Sequence, residues 1–272
     1  MSLNPFETPT IREDSITSLS KKLLEVTEQL QQTNRSLQKV QQERSDMLAN
    51  LSHDLRAPVT AIRGAVDYLL ADENCSKEEM TSVLQMIDRR TKVLENLIHD
   101  MYDLFCVEGS QQSFQLQDIA AAPFLEEYFY SSVLDSRYDG RDMVLDLPEN
   151  LTCTISIDAE KIVRVLDNLM TNAAKYSPAG SPITLKARQE GEQLSVSVID
   201  KGMGIPEDSL QKVFSRTYTV SSARTPGSVT GSGLGLSIAR AIAEKHLGTL
   251  SCESVLHEGS TFTLTLPVVN PS

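Results

Sequence analysis

Apolar residues recur in alternating steps of three and four along the first fifty residues, with no proline or glycine among them after Pro9. The members of this stripe are Ile16, Leu19, Leu23, Val26, Leu30, Leu37, Val40, Met47 and Leu51. A narrow stripe sustained over about five heptads is typical of a parallel coiled coil. A single solvated helix packed on its own domain is the alternative, although such a helix usually carries a wider stripe. We predict a loose leader over 1–14 and a coiled-coil helix over 15–47.

Beyond residue 47 the apolar stripe widens, and two amphipathic helical patterns follow one another. In the first pattern the residues that recur every seven positions are Leu48, Leu55, Ile62 and Leu69. A turn over 71–76 separates the patterns, and Ser76 can cap the second helix together with Glu79. This predicts a helical hairpin over 48–108. Its open apolar stripe would close if two chains formed a four-helix bundle.

After Gly109 short apolar runs alternate with helical patterns. The candidate strands are Phe114–Ile119, Met143–Leu147, Cys153–Ile157, Ile183–Ala187, Leu194–Ile199, Thr249–Glu253 and Thr261–Leu266. The candidate helices are 122–136, 159–175 and 234–246. This order predicts an α/β sandwich over 110–272, with one sheet and helices on one of its faces. The Gly-, Ser- and Thr-rich segment 201–233 is typical of a lid or binding loop.

Composition narrows the possible partners of the chain. Among 272 residues, 37 are acidic and 25 are basic, so the net charge is -12 and nucleic acid is not expected as a partner. No uncharged apolar stretch approaches about 18 residues, so we expect membrane contact only through a segment upstream of these residues. The scattered cysteines, Cys75, Cys106, Cys153 and Cys252, favour reduced thiols and a cytoplasmic location.

The first candidate for chemistry is a histidine on the polar side of the first hairpin helix. At about 100° per residue, His53 points away from both Leu51 and Leu55. An exposed neutral imidazole is a competent nucleophile, and the adjacent Asp54 can hold its tautomer and accept its proton. Taken alone, His53 could equally be an incidental surface residue.

The second candidate lies on the predicted 159–175 helix. Asn168, Asn172 and Lys175 share the side opposite the apolar stripe, at steps of four and three. Two carboxamide oxygens on one face suit Mg²⁺, which takes few protein ligands, and Lys175 offers a positive charge to a phosphate. A solvated helix face is the simpler interpretation of these three residues alone.

Two glycine-rich segments flank the candidate lid. Asp200-Lys-Gly-Met-Gly204 directly follows a strand, where the carboxylate can accept a hydrogen bond from an amine such as that of adenine. Gly231-Ser-Gly-Leu-Gly-Leu236 opens a helix, where exposed amides can bind an anion. The sequence fits neither the Rossmann nor the Walker pattern.

The order of these segments resembles that of the two-component sensor histidine kinases. Leu51–Pro58 is similar to the H box of that family and Asn168–Ser177 to its N box. Asp200–Ile205 and Gly231–Leu236 resemble its two glycine boxes, and Gly259–Pro267 resembles its last strand. Four boxes in the family's order and spacing make this resemblance specific.

The resemblance implies a dimerising phosphoacceptor hairpin followed by an ATPase domain of the gyrase, chaperone and histidine kinase type. It implies an ATP-dependent protein histidine kinase in which His53 takes the γ-phosphate, Asp54 orients the ring, and an aspartate of a response regulator receives the phosphoryl group. Asn172 would bind Mg²⁺, Lys175 would contact phosphate, Tyr176 would pack on the adenine and Asp200 would bond its amino group. The residues implied in nucleotide binding are Asn168, Asn172, Lys175, Tyr176, Asp200, Gly202, Gly204, Gly231, Gly233, Leu234 and Gly235.

Some positions depart from the family pattern. Ala57 stands where Thr or Asn usually supports phosphatase activity, so we expect little of that activity. Thr217 and Thr219 replace a common aromatic residue and a common arginine, and Arg216 is a possible substitute. A scaffold that does not phosphorylate, or an ATPase clamp that has no use for the H box, are the alternatives.

Overall fold

The computed structural model describes residues 13–71, 75–108, 114–215, 218 and 233–269. The chain divides into two units between His53 and Asp54. In the first unit, helix α1 (Glu13–Ala71) carries exposed stripe residues, among them Leu23, Leu30 and Leu37. The predicted leader over 1–14 falls almost entirely outside the described residues.

The second unit begins with the remainder of α1, which continues through Pro58. Helix α2 (Lys77–Glu108) follows, and its first turn is held by the predicted capping box. The Glu79 N–H donates to Ser76 Oγ at 3.2 Å, and the Ser76 N–H donates back to the Glu79 carboxylate at 3.1 Å. The reciprocal pair satisfies two backbone donors that would otherwise lack partners, which explains why α2 begins here.

The rest of the second unit is a sheet with three helices. Its strands are β1 (Gln117–Ala120), β2 (Asp142–Asp146), β3 (Thr154–Ile157), β4 (Pro182–Glu190), β5 (Gln193–Asp200), β6 (Thr249–Val255) and β7 (Gly259–Val269). The spatial order is β1-β3-β7-β5-β4-β2, with β6 paired to β7. Only the β2–β4 pair is parallel among the described strands. The helices are α3 (Ala121–Val133), α4 (Ala159–Tyr176) and α5 (Gly235–Lys245).

This architecture confirms the predicted helical hairpin and α/β sandwich. Strand β1 begins three residues later than predicted, because the ring of Phe114 packs edge-on against His246 at 5.1 Å instead of entering the sheet. Apolar residues of β4, β5 and β7 alternate with more exposed ones, and the buried set packs beneath α4 and α5. Leu166, Leu185 and Leu264 are fully buried in this core.

Helix α2 also contacts the helical layer of the sandwich. It packs against α5, and Asp100 on α2 forms an ion pair with Arg164 on α4. None of the described helices is long and apolar enough to cross a bilayer.

Candidate nucleotide-binding site

Helix α4 is the central element of the candidate site. Asp158 caps its first turn by accepting the Lys161 N–H at 3.3 Å. The predicted apolar stripe is buried, with Ile162, Leu166, Leu169 and Ala173 facing the sheet. On the other side Asn168 and Asn172 are partly buried and Lys175 is exposed, so all three remain available to a ligand.

Both glycine-rich segments touch α4, one near each end of its polar face. A Cβ added at Gly235 would lie 2.9 Å from Asn168 Oδ1, which places the second segment against the middle of the helix. Near the C-terminal end, the Tyr176 carbonyl accepts the Met203 N–H at 3.2 Å, and a Cβ at Gly202 would overlap that carbonyl. The two contacts are separated by about 12 Å of helix. Asn172 and Lys175 lie between them.

Asp200 occupies the end of β5, next to the C-terminal end of α4. Its side chain is buried, and its carboxylate accepts the Gly202 N–H at 2.7 Å and the Ser177 hydroxyl at 3.5 Å. Burial raises the pKa of the Asp200 carboxyl, while hydrogen bonds from Gly202, Ser260 and Ser177 act in the opposite direction. A buried carboxylate with donors on one side is suited to accept an amine hydrogen bond on another.

The N-terminus of α5 provides the opposite end of the site. Leu234 is fully buried, and no side chain among the described residues caps the first turn. The amides that open this helix, near Gly235, are therefore suited to an anion. Gly233 has a positive φ of 68°, which favours glycine there. Gly231, Arg216, Thr217 and Thr219 lie outside the described residues.

Aromatic and cationic groups contact one another on α4 and beside α5. Lys175 Nζ lies 5.0 Å from the centroid of the partly buried Tyr176 ring. Phe214 meets Phe262 edge-on at 6.3 Å, and the Arg240 guanidinium lies 5.8 Å from the Phe214 ring. These contacts anchor Phe214 beside α5.

The polar groups near α4 have the chemistry to hold a divalent cation. Within the described ranges no three His, Cys, Asp or Glu side chains converge as a metal site. Asn168 Nδ2 is buried without a hydrogen-bond partner, so the described protein groups leave that amide donor unsatisfied. Asn168 and Asn172 supply carboxamide oxygens, which fit Mg²⁺ held mainly by phosphate oxygens and water.

The predicted phosphoacceptor lies in the first unit. His53 is exposed on α1, as its angular position predicts. In the second unit, Asp54 is partly buried, and Ala57 is exposed on the turn that follows. The side chain of His53 is therefore accessible to an incoming reactant.

Two serines around Asp200 were missed by sequence reasoning. Ser177 follows α4 directly, and Ser260 pairs in register with Asp200 across β5 and β7. Ser260 is buried and lies on the inner face of β7 in phase with Phe262, Leu264 and Leu266. A polar residue in the buried phase of a strand was the available signal.

The family models match both parts of the chain. Residues 43–109 match the His Kinase A (phospho-acceptor) domain. Residues 157–270 match the histidine kinase-, DNA gyrase B- and HSP90-like ATPases. Fold and site thus define an ATPase domain of this class joined to a phosphoacceptor hairpin.

Two relatives are similar to most of this chain. It is 33% identical over 235 residues to the sensor histidine kinase WalK of Bacillus subtilis, covering 85% of this chain and 38% of that relative. It is 31% identical over 246 residues to the sensor histidine kinase YcbM of the same organism, covering 89% of this chain and 77% of that relative. The chain belongs to the sensor histidine kinases.

A solved structure shares the fold. The histidine kinase ThkA, in complex with the response regulator protein TrrA, matches with a TM-score of 0.62 at 21% identity. The match covers 82% of this chain and 61% of that one. At this identity the similarity shows the fold alone.

Proposed function

We propose that this chain is an ATP-dependent protein histidine kinase that phosphorylates His53 and passes the phosphoryl group to an aspartate of a response regulator. The observation that carries the proposal is the polar face of α4. Asn172 and Lys175 lie between a glycine contact at Asn168 and another at Tyr176, which gives one continuous surface for a nucleotide. Phosphoryl transfer mainly needs positioning and charge neutralisation, and this surface offers both.

Each side chain of the surface has a distinct role in the proposal. Asp200 accepts the adenine amine, Tyr176 packs on the base, and Lys175 attracts the phosphates. Asn172, assisted by Asn168, would hold Mg²⁺, which neutralises charge on the phosphate oxygens. The amides at Gly235 and the start of α5 bind the far end of the phosphate chain.

The transfer step uses the exposed imidazole. An imidazole nitrogen of His53 forms a bond to the γ-phosphorus while the bond from that phosphorus to the β–γ bridging oxygen breaks, and ADP leaves. Asp54 orients the ring and accepts its proton. In the second step an aspartate carboxylate of the regulator bonds to the phosphorus while the bond from nitrogen to phosphorus breaks, and the proton returns from Asp54 to the ring, which leaves His53 neutral.

The proposal includes a homodimer. Five stripe residues of α1, from Leu23 to Val40, are exposed in the single chain, with Leu23 at 69% and Leu30 at 64% of their surface. A second copy would bury them in a coiled coil over 15–47 and in a four-helix bundle built from the 48–108 hairpin. Residues 110–272 then form the ATP-binding domain. The regulator as partner is supported by the structure of ThkA, which was solved with one.

The main experiment measures phosphate transfer from labelled ATP in the presence of Mg²⁺. We expect acid-labile label on the wild-type chain and none on His53→Gln. His99→Gln is the matched control, because His99 is an exposed histidine on α2 of the same hairpin. Label retained by His53→Gln would remove His53 as the acceptor.

Mixed dimers decide between transfer within and between chains. His53→Gln and Asn172→Ala are each expected to be unlabelled alone. Label on the Asn172→Ala chain of the mixture would show transfer across the pair. Steady ATP hydrolysis without phosphohistidine would instead indicate an ATPase clamp.

Ala57 leads to a prediction about phosphatase activity. It lies four residues after His53, on the same helical side, and its methyl group cannot orient a water molecule. We expect slow dephosphorylation of the phosphorylated regulator and an increase in rate for Ala57→Thr. An unchanged rate would contradict this assignment, with Thr60→Ala as a control on the same helix.

A further inference from the structure

Three described contacts converge on the hydroxyl of Ser254, near the end of β6. Ser254 Oγ accepts the Ile205 N–H at 2.8 Å and donates to the Gly259 carbonyl at 2.7 Å. It also lies 3.0 Å from Ser260 Oγ. One side chain thus joins the end of the first glycine-rich loop to the start of β7.

The strand register connects Ser254 to the carboxylate of Asp200, the residue proposed to accept the adenine amine. Ser260 on β7 is opposite Asp200 on β5 and opposite Ser254 on β6. Side chains of directly paired residues lie on the same face of a sheet, so the three polar groups form one row. Because the one proton of the Ser254 hydroxyl goes to the Gly259 carbonyl, the Ser260 hydroxyl donates to Ser254 Oγ. The Ser260 backbone N–H lies against the Asp200 carboxylate and helps to lower its pKa, which completes the row.

The loop that starts at Asp200 also returns to this row. The Gly202 N–H bonds the Asp200 carboxylate at the start of the loop, and the Ile205 N–H bonds Ser254 at its end. The hydrogen bonds therefore close a ring that runs from Asp200 through the loop to Ser254, Ser260 and back. Strand β7 separates Ser254 on β6 from Asp200 on β5.

The turn after β6 leaves this loop little room to move. The His257 N–H donates to the Met203 carbonyl at 2.8 Å. Gly204 has a φ of 67°, and a Cβ there would overlap the Val255 carbonyl. The backbone fixes the loop against the turn, while Ser254 supplies the link to the carboxylate row.

We propose that Ser254 is a positioning residue for adenine recognition, because its hydroxyl closes the ring that orients the Asp200 carboxylate. The inference rests on the proposed function, in which Asp200 accepts the adenine amine. Without this hydroxyl the Ile205 N–H and Ser260 lose a partner, and the carboxylate can turn away from the base. The phosphate end of the site, at α5, keeps its contacts.

The test compares two nucleotides that differ only at the base amine. ADP and purine riboside 5′-diphosphate, which has hydrogen in place of the 6-amino group, are titrated into the full chain by calorimetry. We expect the wild type to prefer ADP by at least about fivefold, as a charge-assisted hydrogen bond would give. For Ser254→Ala we expect ADP affinity to fall about five- to thirtyfold, with a change below about twofold for the analogue.

Control variants separate positioning from folding. Ser254→Thr keeps the hydroxyl and should retain the preference for ADP, and Ser251→Ala on the exposed side of β6 should behave as wild type. If Ser254→Ala does not fold, Ser254→Cys keeps the size with a weaker hydrogen-bonding group and should show the same selective loss. Circular dichroism melting monitors the fold of every variant.

The possible results of the titrations separate the positioning role of Ser254 from the kinase proposal. Equal weakening of both nucleotides, or no weakening of either, would overturn the positioning role while leaving the kinase proposal intact. A wild-type chain that binds neither nucleotide, or binds both equally, would overturn adenine recognition by Asp200 and the inference with it. Selective loss in Ser254→Ala with retention in Ser254→Thr supports the inference.

Discussion

The N-terminal part of α1 and the core of the α/β region differ in how much leucine surface is exposed to solvent. On α1, Leu30 and Leu37 keep 64% and 58% of their surface exposed, whereas Leu166 and Leu264 of the sandwich keep none. Burial of apolar surface is the main favourable term in folding, so the sandwich has its core within one chain. The helical stripe acquires an equivalent core only when another surface covers it. Buried leucines such as Leu166 therefore stabilise the fold of one chain, whereas exposed leucines such as Leu30 are assigned to the proposed dimer.

The largest expected effect tests the buried side of this comparison. Leu166→Ala removes a fully buried side chain from α4 and should lower the free energy of unfolding of the sandwich by about 2–5 kcal/mol. Leu30→Ala, on the exposed stripe, should leave the unfolding of the sandwich unchanged. Urea denaturation followed by circular dichroism and by ADP binding measures both variants. Equal loss in the two variants would break the comparison.

The second prediction tests the exposed side. The double variant Leu30→Asp and Leu37→Asp places charges in the seam and should raise the dissociation constant of the dimer by at least about 100-fold. Gln31→Asp and Gln38→Asp add the same charges one position off the stripe and are the matched control. Sedimentation equilibrium measures both. A dimer that tolerates the seam charges would exclude this stripe as the interface.

Sequence reasoning succeeded where the signal is local and periodic. The α4 stripe, the exposed position of His53 and the Ser76–Glu79 cap each follow from spacing within one helix. These features depend on helix geometry, which sequence spacing specifies directly.

It fell short where the signal depends on strand register. Ser254 and Ser260 meet Asp200 only because β6 and β5 both pair with β7 at the same row. No residue spacing predicts that row, since the chain between β5 and β6 spans almost fifty residues. The Asp100–Arg164 ion pair is missed for the same reason, because it joins two helices that are distant in sequence.

The histidines of the helices and of the α/β region also differ in burial. His53 and His99 are exposed on the helices, whereas His246 at the end of α5 is buried. Its Nε2 accepts the Asp158 N–H at 3.0 Å, and its Nδ1 lies 2.8 Å from the Ile242 carbonyl. Desolvation lowers the pKa of His246, so the folded state favours the neutral ring that this arrangement requires.

The sign of the pH effect follows from this shift. Above the unfolded pKa of about 6.5 both states are neutral, and below it the unfolded chain binds a proton that the folded chain resists. Stability should therefore fall as the pH is lowered below about 6.5, and this loss should level off once the pH has passed the lowered pKa of the folded state. Thermal melting of wild type and His246→Gln over this range measures the difference. His99→Gln should retain the wild-type slope, and a parallel slope for His246→Gln would contradict the assignment.

The smallest effect concerns an exposed leucine inside the α/β region. Leu247 follows α5 with 87% of its surface exposed and a φ of 58°, in the left-handed region that disfavours a side chain. The Leu247 N–H donates to the Glu244 carbonyl and the Gly248 N–H to the Ala243 carbonyl, which ends the helix as a left-handed cap does. The left-handed backbone conformation of Leu247 distinguishes it from the exposed leucines of α1, which have helical backbone.

Substitution by glycine should therefore stabilise the sandwich. Leu247→Gly relieves the left-handed strain and loses almost no buried surface, so we expect a gain of about 0.5–1 kcal/mol after the added entropy of the unfolded chain. Leu247→Ala keeps a Cβ and should give no gain, and Leu247→Asn should lie between the two. Urea denaturation of the three variants gives the order. A loss of stability in Leu247→Gly that is matched by Leu247→Ala would contradict this prediction. It would show that the Leu247 side chain makes a stabilising contact that outweighs the relief of backbone strain.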